Sequence, residues 1–203
     1  MKWDEYPEPD LSTKRKGYHF LGNAAWKVKN IKAAIKIANA NKKNLEVMGG
    51  YRFNFKMGVR FTLNPRIHFH GMVGDDIKGK IMNRSEALLF PVLWNEPMGL
   101  AVIESMYYGC PVFATPYGSL PDIINDNCGF LSDSLDELIK AAKNSDTYNR
   151  KYCHEYARDN FNSKKMAEKY LKYFDKIMKG DVINSQPPTL LETYSKKYLP
   201  FNW

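Results

Sequence analysis

Ala87-Leu88-Leu89-Phe90-Pro91-Val92-Leu93-Trp94-Asn95-Glu96-Pro97-Met98-Gly99-Leu100, continued through residues 101–114, is the stretch that decides the fold. Its first four residues are wholly apolar, as in a strand covered on both faces of a sheet. A helix is expected over about 99–108, with Gly99 at its mouth, and Pro111-Val112-Phe113-Ala114 offers a second buried strand. Strand, helix and strand in this order make a parallel pair joined by a right-handed crossover. The alternation continues on both sides. Toward the N-terminus lie a strand at 18–21, a helix with Ile31, Ala34, Ile35 and Ala38 on one face, a strand at 45–48 ending at Gly49-Gly50, a strand at 67–70 and a helix over 75–84. Toward the C-terminus come a short helix opened by Ser119 with Pro121 in its first turn, and a strand at 129–131. The expected class is α/β, a doubly wound, Rossmann-like parallel sheet, with extra C-terminal helices over 133–143, 146–160 and 163–179. Residues 1–17, with Pro7, Pro9 and Lys14-Arg15-Lys16, read as an irregular leader or interdomain linker. Residues 18–180 form the domain, and 181–203, with Pro187-Pro188 and Pro200, read as an extended tail.

Composition narrows the classes. With 203 residues, 44% apolar and 26% charged, the chain can bury a core without disulfide or metal staples. The net charge of +8 is uneven: residues 1–86 carry 17 basic and 8 acidic side chains, and residues 87–203 carry 13 and 14. Such a basic half suits an anionic partner, whether nucleotide phosphates, nucleic acid or a lipid surface, or is simply a solvated face. No RNA-binding, zinc-finger or helix-turn-helix pattern supports nucleic acid, and no G-x-G-x-x-G follows the first strand, which argues against a dinucleotide oxidoreductase. Cys110, Cys128 and Cys153 have no C-x-x-C spacing, and no His/Asp cluster shows metal-ligand spacing. His19, His68 and His70 read as packing or hydrogen-bonded residues, Tyr107, Tyr108, Tyr170 and Tyr173 as packing, and the lysines of 164–176 as a solvated helix face. The longest apolar run, 87–94, is far short of the roughly 20 residues of a membrane span. Together these features point to the cytoplasm, with membrane contact at most peripheral.

In an open parallel sheet, ligands collect beyond the carboxyl ends of the strands, where helix N-termini present free amides. The loop 90–100 is such a place. Gly99 removes a side chain at the helix start, so the amides of Met98, Gly99 and Leu100 can approach a phosphate. Glu96 and Glu104 flank that opening, and carboxylates so placed accept hydrogen bonds from hydroxyls on either side of a diphosphate. The bland reading stands beside it: a Glu near a helix N-terminus is favoured by the dipole alone.

The ordered set of Glu96-Pro97-Met98-Gly99-Leu100 with Glu104, then Gly109-Cys110-Pro111-Val112, then Gly118-Ser119-Leu120-Pro121-Asp122-Ile123, resembles retaining glycosyltransferases of family 4. It matches their E-x7-E signature, G-x-P-V strand start and G-S-x-P-E-I helix, and the similarity runs over about 18–145 through Phe20-Leu21-Gly22, Gly49-Gly50 and Phe69-His70-Gly71. The resemblance implies the C-terminal, donor-binding half of a two-domain GT-B enzyme. Such an enzyme transfers a hexosyl unit from a nucleoside diphosphate sugar to an acceptor hydroxyl, with retention and without a required metal or other cofactor. It implies that Glu96 holds hexose hydroxyls, that Glu104 takes the ribose, that the amides of Met98, Gly99 and Leu100 meet sugar or diphosphate, and that Met72 and Val73 flank the base. Gly22 ends the first strand. The family's usual Arg there is Asn23 in this chain, and its usual Lys is best matched by Lys29, with Lys27 as the competing choice across a one-residue insertion. Glu96 and Lys29 are the expected catalytic groups. The expected partner is a separate N-terminal acceptor-binding domain or subunit. The alternative is a GT-B-like binding module that has lost its chemistry, suggested by Asn23 and the absent half.

Overall fold

Continuous apolar runs between amphipathic helices assemble as the alternation requires. In the computed structural model, which describes residues 1–54, 60–187, 189 and 198–203, the strands are β1 (Tyr18–Leu21), β2 (Leu45–Met48), β3 (Phe53–Asn54), β4 (Arg60–Phe61), β5 (Ile67–Phe69), β6 (Ala87–Phe90), β7 (Val112–Ala114) and β8 (Gly129–Leu131). Six of them form one parallel sheet in the order β5-β2-β1-β6-β7-β8. Val47 stands between Phe20 and Phe69 in register, and Val112 between Leu88 and Gly129. The direction of winding reverses between β1 and β6, which opens a crevice beyond their carboxyl ends.

Both faces of the sheet are covered, and β6 shows why its four residues are all apolar. Ala87 and Leu89 pack with Phe20, Ile37, Phe113 and Leu138 under α1 (Ile31–Ala40) and α5 (Leu135–Lys143). Leu88 and Phe90 pack with Val102, Met106, Tyr108 and Val112 on the opposite face, where α2 (Asp75–Met82), α3 (Leu100–Tyr107), α4 (Leu120–Ile123) and α6 (Arg150–Asn160) lie. Several helix starts are capped by side chains: those of Asn30, Ser134 and Asn149 accept the N–H groups of Ala33, Glu137 and Tyr152, whereas Ser119, expected to open α4, makes no side-chain cap.

Two features depart from the sequence reading. The small antiparallel pair β3–β4, in which Phe53 stacks on Phe61 at 4.5 Å, was not expected. Tyr170 and Tyr173, on α7 (Ser163–Met178), do not pack into the core: α7 has no buried residue among those described, and with Phe174, Ile177, Ile183 and Asn184 they line an open groove of about 480 Å³. The end of the tail folds back, with Leu199 N–H donating to Leu93 O, Asn202 N–H to Asp133 O, and Leu135 N–H to Asn202 O. Trp203 lies 4.6 Å below the Lys36 ammonium. Residues 188 and 190–197 of that expected tail lie outside the described residues. No helix among the described residues is long and apolar enough to cross a membrane.

The N-terminal residues are bound to the domain through Arg15. Its guanidinium is buried and donates to Tyr108 O (2.6 Å), Asp10 O (3.0 Å), Ser85 O (3.3 Å) and the Cys110 sulfur (2.9 Å). This cation serves packing rather than an anionic partner. Trp3 stacks on Tyr107 at 4.2 Å, and the Met1 amino group donates to Phe161 O.

His19 makes the fold sensitive to acid. It is fully buried in β1, shares a 3.0 Å hydrogen bond with Ser105 Oγ, and has its pKa lowered to about 3, by burial first and by the Arg15 charge second. The unfolded chain, with an imidazole pKa of 6.5, therefore binds one more proton than the folded chain between these values, and stability falls as pH drops through that window. Urea unfolding at pH 7 and pH 5 should show the wild type losing about 2 kcal/mol more than a His19→Gln variant.

Candidate functional site

The loop after β6 is gripped from both sides of the crevice. Leu93 N–H donates to Val28 O (2.7 Å), Thr115 Oγ1 donates to Val92 O (2.6 Å), and Ser119 N–H donates to Glu96 O (2.9 Å). Glu96 also forms an isolated parallel bridge with Gly118, whose φ of 66° puts it in the left-handed region. A Cβ on Gly118 would collide with the Glu96 backbone, and only glycine allows that approach. The Ser119 hydroxyl beside it is buried without a partner among the described residues.

Glu96 is 8% exposed and faces the segment that follows β1. There a 3-10 turn (Lys27–Lys29) runs into Asn30, at φ 51°, which caps α1. Lys29, not Lys27, meets the acid: its ammonium is 2.7 Å from Glu96 Oε2 and lies 5.0 Å and 4.9 Å from the Phe90 and Trp94 ring centres. Trp94 Nε1–H donates to the same oxygen at 2.9 Å. Lys27 is exposed. Gly22 N–H continues the β1 pairing to Met48 O (3.0 Å), and exposed Asn23 turns its Oδ1 to the Ala25 N–H (3.0 Å), so it supplies no charge in place of the family's arginine.

Gly99, at φ 65°, begins α3 without a side-chain cap. Its carbonyl accepts from Val102 and Ile103, while the N–H groups of Met98, Gly99 and Leu100 find no acceptor among the described residues. These are the unpaired donors of a helix mouth. Glu104, 9% exposed, sits one turn further along. Its Oε1 accepts from the Lys78 ammonium and from the Tyr6 hydroxyl, both at 3.1 Å. Lys78 also pairs with Asp75 at 2.6 Å. Burial disfavours its charge, but Asp75 and Glu104 together outweigh that and raise its pKa.

Glu96 and Glu104 thus share no partner; one is held from the β1 side, the other from α2 and the N-terminal segment. After β5, Met72 is 82% exposed and Val73 packs against the core beside α3. Lys78 and Tyr6 escaped the sequence reading because nothing in spacing announces contacts 26 and 98 residues apart. Trp94 lies in the same loop, two residues before Glu96, and that proximity was its only signal in the sequence.

A partly buried ammonium, free amides at a helix start and two held carboxylates can bind an anion flanked by hydroxyls. Known proteins agree with the frame. An uncharacterised 41.2 kDa protein in the cps region of Klebsiella pneumoniae is 23% identical over 168 residues, 79% of this chain and 43% of that protein. AviGT4, a glycosyltransferase involved in avilamycin A biosynthesis, is similar in structure with a TM-score of 0.71 at 18% identity, covering 89% of this chain and 57% of that one. Sucrose-phosphate synthase from Thermosynechococcus elongatus gives 0.70 at 16%, covering 89% and 52%. The pneumococcal O-GlcNAc transferase GtfA, in complex with UDP and GlcNAc, gives 0.60 at 20%, covering 85% and 38%. At these identities the structural likeness is one of fold, and the chain spans about half or less of the relatives' length. The family pattern for glycosyl transferases group 1 matches residues 11–145, from the buried N-terminal anchor through α5, and on that match the chain belongs to the glycosyl transferases group 1 family.

Proposed function

We propose that this chain is the nucleotide-sugar-binding half of a retaining glycosyltransferase that moves a hexosyl unit from a nucleoside diphosphate sugar to an acceptor hydroxyl. The observation that carries the reading is the Lys29–Glu96 pair, 2.7 Å long, set against an open helix start at the point where the sheet reverses. The diphosphate lies at the amides of Met98, Gly99 and Leu100 and draws on Lys29, so that Glu96 turns to hexose hydroxyls. Glu104 accepts the ribose hydroxyls, Met72 and Val73 flank the base, and Gly22 and Asn23 form the wall beyond β1. The bond that breaks joins the anomeric carbon to the diphosphate oxygen; the leaving charge falls on Lys29 and the amides, which is where preorganised donors lower a barrier. No step requires a metal, and with Asn23 in place of an arginine it is Lys29 that the segment after β1 offers to that charge.

The acceptor side belongs to a separate domain or subunit. Supporting this, the chain covers 57% of AviGT4 and 43% of the Klebsiella relative, and α7 leaves Tyr170, Phe174 and Ile177 exposed in one stripe. Uridine and guanosine diphosphate sugars are the donors to try. A ligand at about 100 times its Kd stabilises by about 2.7 kcal/mol, which for a chain of this size raises Tm by roughly 5–10 °C. Glu104→Ala should erase that shift. No shift with any of a broad panel of nucleotide sugars at millimolar concentration would refute the reading.

A further inference from the structure

Each acid of the site is held through a single oxygen by one ammonium and one aromatic donor. Glu96 Oε2 receives Lys29 and the Trp94 indole N–H, and Glu104 Oε1 receives Lys78 and the Tyr6 hydroxyl. The other oxygen of each carboxylate takes no hydrogen bond from the described residues. A carboxylate fixed on one side by two donors keeps one orientation and offers its second oxygen outward; with one donor removed it can swing. For Glu104 the remaining donor would be Lys78, which Asp75 also claims at 2.6 Å.

Building on the donor-site reading above, we infer that Tyr6 is a positioning residue for ribose recognition, and that the N-terminal segment forms one wall of the nucleotide site. The ring cannot easily leave its place. Tyr6 stands edge-on to Trp3 at 5.2 Å and to Tyr107 at 6.1 Å, and Trp3 is itself stacked on Tyr107. Pro7 lies against Gly79 of α2, where a Cβ would come within 3.2 Å of the proline ring. Downstream, Asp10 N–H donates to Asn83 Oδ1 (2.8 Å) and Arg15 locks the segment to Tyr108. Burial, and then the Glu104 charge, raise the Tyr6 pKa above the ordinary tyrosine range, so the hydroxyl remains a donor throughout the working pH range.

Tyr6→Phe keeps the ring cluster and removes only the hydroxyl. Calorimetric titration of wild type and Tyr6→Phe with UDP or GDP, and with the 2′,3′-dideoxy form of the same nucleotide, separates positioning from mere packing. Thermal melting of the variant alone checks that it folds. Wild type should bind the ribonucleotide at least tenfold more tightly than the dideoxy form. Tyr6→Phe should lose about tenfold on the ribonucleotide, as for a lost hydrogen bond to a charged group, and nothing on the dideoxy form. If Tyr6→Phe weakens both nucleotides equally, or neither, the hydroxyl does not position Glu104 for ribose and the inference is overturned while the donor site stands. A wild type that binds neither nucleotide overturns the donor-site reading and this inference with it.

Discussion

Lys29→Met is expected to remove most of the chain's affinity for nucleoside diphosphates and to destabilise it by about 3 kcal/mol, the lower end of the cost of orphaning a buried charge. The side chains of Lys29 and Glu96 are only 12% and 10% exposed, so water cannot replace the lost partner; the Trp94 N–H alone remains on Glu96. Glu96→Gln should cost a similar amount by stranding Lys29 against two aromatic rings. The double variant should cost clearly less than the sum of the singles, because neither charge is then left alone. Binding behaves differently: losing the ammonium removes a charge-assisted contact to phosphate, worth about 10- to 150-fold in Kd. Denaturant unfolding of the four proteins and titration with UDP read both quantities. Strictly additive stability losses would mean that the pair contributes no coupling.

Gly118→Ala is the second large effect. A non-glycine residue at φ 66° costs about 1–3 kcal/mol by itself. The new methyl would in addition lie against the Glu96 N and O atoms and 2.7 Å from Asn95 C, so the loop must shift to accept it. Tm should fall by roughly 6–12 °C, and donor binding should be lost even where the variant remains folded, because the displaced backbone carries Glu96. Thermal melting with and without nucleotide sugar measures both. A variant with near-native Tm and an undiminished ligand shift would show that the loop tolerates movement and that the Glu96 position is not fixed from behind.

Much of the fold was legible because burial on two faces forces a wholly apolar strand. Residues 87–90 and 112–114 left no alternative face for water, and β6 duly divides its side chains between the two cores. The face of α1 was read too narrowly: Ile31, Ala34 and Ala38 are buried as expected and Ile35 is partly so, but Ala33 and Ile37, which widen the stripe, are fully buried as well. Helix boundaries moved by a few residues, as with α6, which starts at Arg150 after a 3-10 turn (Ser145–Thr147) rather than at 146. Strands of two residues such as β3 and β4 carry no period to detect.

The site was legible where the chain is local and obscure where it is not. Glu96, Gly99 and Glu104 lie on one loop and one helix, so spacing alone groups them. Lys29 was the better match in sequence, but Lys27 competed because both flank Val28; the tight turn before Asn30 brings Lys29 to the acid and leaves Lys27 exposed. Tyr6 lay in a segment read as a leader because Pro7, Pro9 and the basic cluster suggest irregular chain. Irregular backbone can still be fixed, here by Arg15 and the Trp3–Tyr107 stack.

The most direct test of the central claim is a crystal structure of the chain with a bound uridine or guanosine diphosphate hexose. The diphosphate should lie at the Met98–Gly99–Leu100 amides and Lys29, with Glu96 on the hexose hydroxyls and Glu104 on the ribose. A nucleotide sugar seated elsewhere, or with either carboxylate turned away from it, would contradict the account.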